Sequence, residues 1–452
     1  MHALVRFGYG AGPGSTVPED AHGWLKAQLA GPDPGLASGV FAELPTGQAA
    51  FDVEREDALL RREALRKAAG MAVAPSSFKF MGRQLYVDDA AAQLNFAATT
   101  PAPFRERLVW FWANHFSVSI LQGNTNALVG PFIREAIRPH VTGHFEDLVL
   151  AVERHPAMLC YLDNQQSVGP NSPVGLKSHR GLNENLGREC MELHTAGLEA
   201  GYSQADVTNM AKLLTGWSVA ATADGGGDSL TGYKFRPQAH EPGPQMVMGQ
   251  EFPDGEAGGV AALRFLANHP STYRRIATQL AAHFISDEPP PGAVEALYQT
   301  LSRSKGHLGA AYARLIGLGM QAPPLSKLKT PFDYTVSMLC AAPQAGNPRP
   351  ERMLNMLAQL GQPLWAAPLP NGWPDVAVKW ADPDLVLGRV DAAYTYAGFA
   401  GAGLAGGTDP QIVAQIALGP LQAPATRLAM QQAGSPREAL ALLFASPEFQ
   451  RR

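Results

Sequence analysis

The chain has 452 residues, 46% of them hydrophobic and 17% charged, a globular composition with ample length to bury a large core. Lys and Arg number 36 against 40 Asp and Glu, and no basic run stands out; no electrostatic footprint for nucleic acid or an anionic membrane surface is visible. No uninterrupted apolar stretch approaches the roughly 20 residues of a bilayer-spanning helix, so no transmembrane segment is expected.

The N-terminal run Met1-His2-Ala3-Leu4-Val5-Arg6-Phe7-Gly8 lacks the basic start and apolar stretch of a secretory signal, so this chain by itself points to the cytoplasm. Cys160, Cys190 and Cys340 form no CxxC pair; they read as buried structural thiols rather than a disulfide framework or a zinc-thiolate site.

Gly (46) and Pro (37) are spread throughout, which predicts many short helices joined by surface connections. The first fifty residues read as short helices broken by Pro and Gly. A charged amphipathic helix opens around Asp52 and closes at Gly70, before a polar loop at Pro75-Ser76-Ser77. A strong helix starts after Pro101 and Pro103, with Phe104, Leu108, Phe111, Trp112 and His115 on one apolar stripe that turns His115 inward. Further helices are predicted over Pro131 to Arg138 and around Phe145 to Val152, then a turn at Leu162-Asp163-Asn164. Gly169 to Gly181 reads as a loop. The densest polar helix follows, Asn183 to Thr195, with Asn183 as N-cap and Gly197 as its stop. Ser203-Gln204-Ala205-Asp206 resembles a capping box opening a second helix that ends at Thr215-Gly216. A small β-hairpin is predicted within 232–249, from Tyr233-Lys234-Phe235 and Met246-Val247-Met248. Gly258 to Phe284 is helical again, and Ser435-Pro436-Arg437-Glu438 caps a last helix to about Ala445. No repeat and no linker divides the chain, so a mainly α, single large multi-helix domain spanning 1–452 is expected.

The chemistry-bearing residues concentrate on the polar helix. At about 100° per residue, Asn185, Glu189 and Glu192 share a face, Glu184 and Arg188 pair beside it, and His194 points elsewhere. Two carboxylates at i, i+3 suit a divalent cation or a general base with its orienting partner; a solvated face laced with salt bridges is the plain alternative. His115 reads either as a hydrogen-bonded core histidine or as a ligand. His240, in a Pro/Gly-rich turn, reads as a surface residue or one aimed at a site. A His115, Glu189, Glu192, His240 group would give mixed N/O ligation for zinc, manganese or iron. There is no HExxH, no GxSxG and no P-loop, and Gly8-Tyr9-Gly10-Ala11-Gly12 follows no strand of a dinucleotide fold. Trp217, Trp365, Trp373 and Trp380 lie in or beside Gly/Pro loops, as buried anchors or as rings that stack on sugars or a partner protein.

Several motifs together resemble the bacterial domain of unknown function 1800 family. They are Phe111-Trp112-Ala113-Asn114-His115-Phe116, Leu162-Asp163-Asn164, Asn183-Glu184-Asn185 with Arg188-Glu189, and Glu192-Leu193-His194-Thr195. Tyr202 to Asp206, Leu214-Thr215-Gly216-Trp217, His240 to Gly249, Gly361-Gln362-Pro363, Gly372-Trp373-Pro374 and Ser446-Pro447-Glu448-Phe449 continue the match across nearly the whole chain. The resemblance implies export in many members, and hence a periplasmic alternative. It also implies, as candidate partner, a sulfatase-like protein of the domain of unknown function 1501 family. It carries over no catalytic residue.

Two expectations follow. In the first, the protein is a metal-assisted, hydrolase-like enzyme acting on an envelope-associated or exported substrate. Glu189 or Glu192 is base or ligand, His115 and His240 are ligands or acid/base partners, Arg188 grips an anionic group, and Thr215-Gly216-Trp217 closes the pocket wall. In the second, it is a non-enzymatic binding or assembly partner, and the same residues form a hydrogen-bond network fixing the helix pair.

Overall fold

A computed structural model describes residues 1–68, 81–122, 124–178, 180–343, 350–403 and 409–452. The predicted helix stop at Gly70 and the loop at Pro75-Ser76-Ser77 lie outside the described residues. The chain is mainly α-helical, with two small antiparallel hairpins among the described residues. The elements that matter for the site are α1 (His2–Phe7), α2 (Gly47–Ala68), α3 (Met81–Thr99), α4 (Pro103–His115), α5 (Phe145–Arg154), α6 (Asn185–Glu189) and α7 (Gln204–Leu213). After the hairpins come α8 (Glu256–Ala267), α9 (Pro270–Phe284), α10 (Pro331–Ala341) and α11 (Pro436–Ala445). One apolar cluster draws residues from Ala3 to Phe449, so both ends of the chain feed the same core. Among the described residues no helix is long and apolar enough to cross a membrane.

Helix α4 runs through the middle of this core for the reason its sequence suggests. Pro103 begins it, and Phe104, Leu108 and Trp112 are fully buried on one stripe, with the Trp112 indole donating to the Tyr312 hydroxyl at 2.6 Å. The predicted polar helix is shorter as α-helix than expected: it runs over Asn185–Glu189 and continues as a π-turn, Cys190–His194. Asn183 still serves its start, its side chain accepting from the Asn185 amide at 2.9 Å. Gly197, at φ 74°, ends the turn as expected. Within the expected loop Gly169 to Gly181 a short helix forms, Pro173–Ser178.

The capping box at Ser203 is complete. The Ser203 hydroxyl accepts from the Asp206 amide at 3.2 Å, and the Asp206 carboxylate accepts from the Ser203 amide at 2.7 Å. Its other oxygen accepts from the Met248 amide at 2.7 Å, tying α7 to a hairpin turn. Ser203→Ala is expected to cost about 1 kcal/mol, read as a lower urea midpoint at unchanged slope; an unchanged midpoint would deny the cap any role.

The predicted strands form, but not with each other. Tyr233–Phe235 (β2) pairs with Trp217–Val219 (β1), and Gln245–Val247 (β3) pairs with Gln250–Phe252 (β4). Met248 and Gly249, at φ 49° and 77°, make the two-residue turn with both centres left-handed that twists a hairpin tightly. That local closure uses up β3 and leaves β2 to the strand that follows Gly216.

Candidate functional site

A cavity of about 360 Å³ opens between α4, α9, the start of α10 and the loop 362–376. Its walls are aromatic: Trp110, Phe111, Phe332, Trp365 and Trp373 line it. Its polar groups come from α9 and from a cluster of paired charges.

Helix α9 is amphipathic with two useful faces. The His269 side chain caps it, Pro270 starts it, and Tyr273, Ile276, Ala277, Leu280, Ala281 and Phe284 are buried in the core. Arg275, Gln279 and His283, each one turn apart, line the cavity. Arg6, itself buried, donates to the carbonyls of Phe284 and Ile285 at 2.9 Å each, closing the end of the helix beside His283.

His283 is the most suggestive side chain. Its Nδ1 is hydrogen-bonded to the Asp375 carboxylate, while Nε2 is buried with no partner among the described residues. Burial pushes the imidazole down to about 4 despite the opposing pull of Asp375, so the ring is neutral at pH 7. Burial alone would raise the Asp375 carboxyl, but His283, Arg452 and Lys327 outweigh it and lower it. Lys327 donates to the Asp375 carbonyl at 2.6 Å and to Asp287 at 2.5 Å, and Asp287 accepts from the Ala377 amide at 2.7 Å. The segment bearing Asp375 is therefore pinned on both sides.

Beneath lies Asp333. Arg107 meets its carboxylate at 2.7 Å and Arg452 at 3.1 Å, all three residues being buried. Arg107 also donates to the Gly8 carbonyl at 2.6 Å and lies over the Tyr9 ring. Burial would raise the Asp333 carboxyl; the two guanidinium groups outweigh it and hold it well below the usual carboxylate range. Lys329, in the same buried neighbourhood and over the Phe449 ring, is pushed down to about 7 by burial.

Two distant stretches of the sequence meet at the rim. Asn114 on α4 donates to the Trp373 carbonyl at 2.9 Å and accepts from the Trp373 amide at 2.8 Å. Gly372, at φ 73°, permits this: a Cβ there would stand 2.4 Å from the Asn114 carbonyl oxygen.

The residues singled out from sequence separate. His115 lines the cavity, as does Leu193, whereas Arg188, Glu189, Glu192 and His240 do not. His115 Nε2 donates to the His194 carbonyl at 3.1 Å, and burial pushes its pKa down to about 3. Glu189 is raised by burial, which the nearby His194 opposes and Glu192 reinforces. Glu192 does not line the cavity, and its charge acts on Arg275, which does. Arg188 bonds Glu184 and Gln204 at 3.1 Å each, with Gln204 and Thr208 also on Glu184, a polar seam joining α6 to α7. His240 uses both ring nitrogens, Nδ1 on the Thr215 carbonyl at 2.8 Å and Nε2 accepting from the Gly255 amide at 3.0 Å. These four thus do not gather with His115, and among the described residues no three His, Cys, Asp or Glu side chains form a group that could hold a metal ion. His194 is buried, with Nδ1 2.7 Å from Glu153. Trp217 is fully buried in the core and Trp380 is buried, its indole on the Pro374 carbonyl at 2.8 Å. Sequence reasoning passed over Arg107, Gln279, His283, Asp333, Asp375 and Arg452. Only the one-turn spacing of 275, 279 and 283 along an amphipathic helix signalled any of them.

Fold and site together define a mainly α-helical protein around an aromatic cavity floored by paired charges and a histidine–aspartate couple. The chain belongs to the family described as "Protein of unknown function (DUF1800)", whose pattern matches residues 2–451. No curated protein and no solved structure matches it.

Proposed function

We propose that the protein is an enzyme acting on a small organic group held in the cavity, with His283 as the base that accepts a proton. One observation carries the reading: His283 presents an unpartnered, buried Nε2 while Asp375 holds Nδ1. A carboxylate at Nδ1 selects the tautomer that leaves a lone pair on Nε2 and stabilises the imidazolium once it forms. The depressed pKa keeps that lone pair available at neutral pH. Ser117 and Thr330 also line the cavity, so the proton can come from a protein hydroxyl, a water or the substrate itself. His115 shapes the far wall, and Glu192 steadies Arg275 there.

The test is a screen of chromogenic aryl esters, aryl glycosides and aryl phosphates with the wild type, His283→Gln and Asp375→Asn. Turnover is expected to fall by about 10²–10⁴ in the first variant and clearly in the second, with unfolding curves little changed. Equal turnover by wild type and His283→Gln would sink the proposal.

A further inference from the structure

We infer that the cavity binds a neutral saccharide, its ring laid against the aromatic wall; this rests on the reading of the cavity as the substrate site. The wall offers flat apolar surface. The Trp110 and Trp365 rings are nearly parallel, 12° apart with centroids at 6.1 Å, and Phe332 lies 4.2 Å from Trp110.

Set into this surface are polar atoms of both kinds without partners. The indole N–H groups of Trp365 and Trp373 and the Arg275 Nε–H are buried donors, Gln279 Oε1 and His283 Nε2 are buried acceptors, and the Tyr9 hydroxyl can be either. Buried polar groups are normally hydrogen-bonded, so six such atoms around one cavity mark bonds reserved for a ligand. Trp365 is 9% exposed and sits at φ 54°, a left-handed conformation that a bulky residue rarely adopts. The Ile120 amide, donating to its carbonyl at 2.8 Å, and the Tyr86 hydroxyl on the neighbouring Leu364 carbonyl at 3.2 Å hold it there. Strain kept at a cavity wall is typical of a binding position.

Charge narrows the ligand. Asp333 and Asp375 pair with Arg107, Arg452 and Lys327, and Arg275, which makes no ion pair, is opposed at longer range by Glu192 and Glu199, so each charge around the cavity has an opposing one within the protein. A purely aromatic or aliphatic ligand would cover the rings and leave the six polar atoms unpaired. An anion would use the indole donors and leave Gln279 and His283 facing lone pairs. A sugar has apolar C–H faces and hydroxyls that both donate and accept, and it meets all of these demands.

The test uses full-length protein with maltose, cellobiose and N,N′-diacetylchitobiose, and with benzamide and glucuronate as contrasts, read by tryptophan fluorescence and titration calorimetry. At least one neutral disaccharide is expected to bind, with glucuronate about tenfold weaker or more. Trp365→Phe and Trp373→Phe keep a ring and remove one donor each; together they are expected to weaken saccharide binding about tenfold or more. Gln279→Leu provides an independent loss should the tryptophan variants fold poorly. Failure of all three saccharides, binding of benzamide in their place, or affinity indifferent to these substitutions would overturn the inference. The two readings separate cleanly. Saccharide binding with turnover indifferent to His283→Gln removes the base and keeps the ligand, whereas His283-dependent turnover without saccharide binding does the reverse.

Discussion

Asp333→Ala is expected to destabilise the protein by about 3–5 kcal/mol, the cost of stripping one partner from a buried ion pair. The carboxylate sits between Arg107 and Arg452, at 2.7 Å and 3.1 Å, and both cations are buried. Each loses its closest carboxylate contact once Asp333 is gone. Arg107 keeps the Gly8 carbonyl, and Arg452 keeps a weaker approach to Asp375 at 3.5 Å, so the loss is large without being total. A urea titration measures it as a lower midpoint at unchanged slope. Asp333→Asn, which preserves shape and accepting oxygen, should lose less. A midpoint for the alanine variant equal to wild type would show that the cluster contributes nothing to stability.

Acidification is expected to destabilise the fold by about 4.5 kcal/mol between pH 6.5 and 4.5, at roughly 1.4 kcal/mol per pKa unit for each of two histidines once their unfolded-state protonation is complete. Burial pushes His115 down to about 3 and His283 to about 4, whereas an unfolded chain protonates both near 6.5. Between those limits the unfolded state binds protons that the folded state refuses. Stability is therefore complete above pH 6.5 and falls as the pH drops towards 4. Asp333 and Asp375 are both lowered and reinforce the trend only further down, below the ordinary carboxylate range. Urea midpoints of wild type and His115→Asn across this range provide the check. The slope should be about halved in the variant, and a flat wild-type profile would contradict the buried, neutral state of both rings.

The helical architecture was legible because its signals are local. The stripe from Phe104 to His115, the Ser203–Asp206 box and the Ser435 cap are each written within a turn or two, and each forms as expected. Strand pairing was less legible. Alternation marks a strand but not its partner, and the two left-handed residues at Met248 and Gly249 decided the matter. The cavity was hardest to read because its groups come from distant stretches. Arg107, His283, Asp333, Asp375 and Arg452 meet only through the packing of α4, α9 and α10, and none lies in a motif with fixed spacing. The polar density around Asn183 to Trp217 drew attention for a real physical reason. Much of it holds backbone in place, as Asn183 and Asn209 do in donating to the Leu162 and Met246 carbonyls at 3.2 and 2.8 Å. From sequence alone, a side chain that supports a wall looks like one that faces a ligand.

The paired bonds between Asn114 and Trp373 have a consequence for how the cavity meets its ligand. Loops usually lose freedom when a ligand arrives, and that loss weakens association. Here the Gly372-Trp373-Pro374 stretch is already fastened to a core helix through both its amide and its carbonyl. Asp375 follows immediately and is held by Lys327 as well. The ordering is completed during folding, so the cavity receives its ligand as a rigid mould rather than as a closing hand.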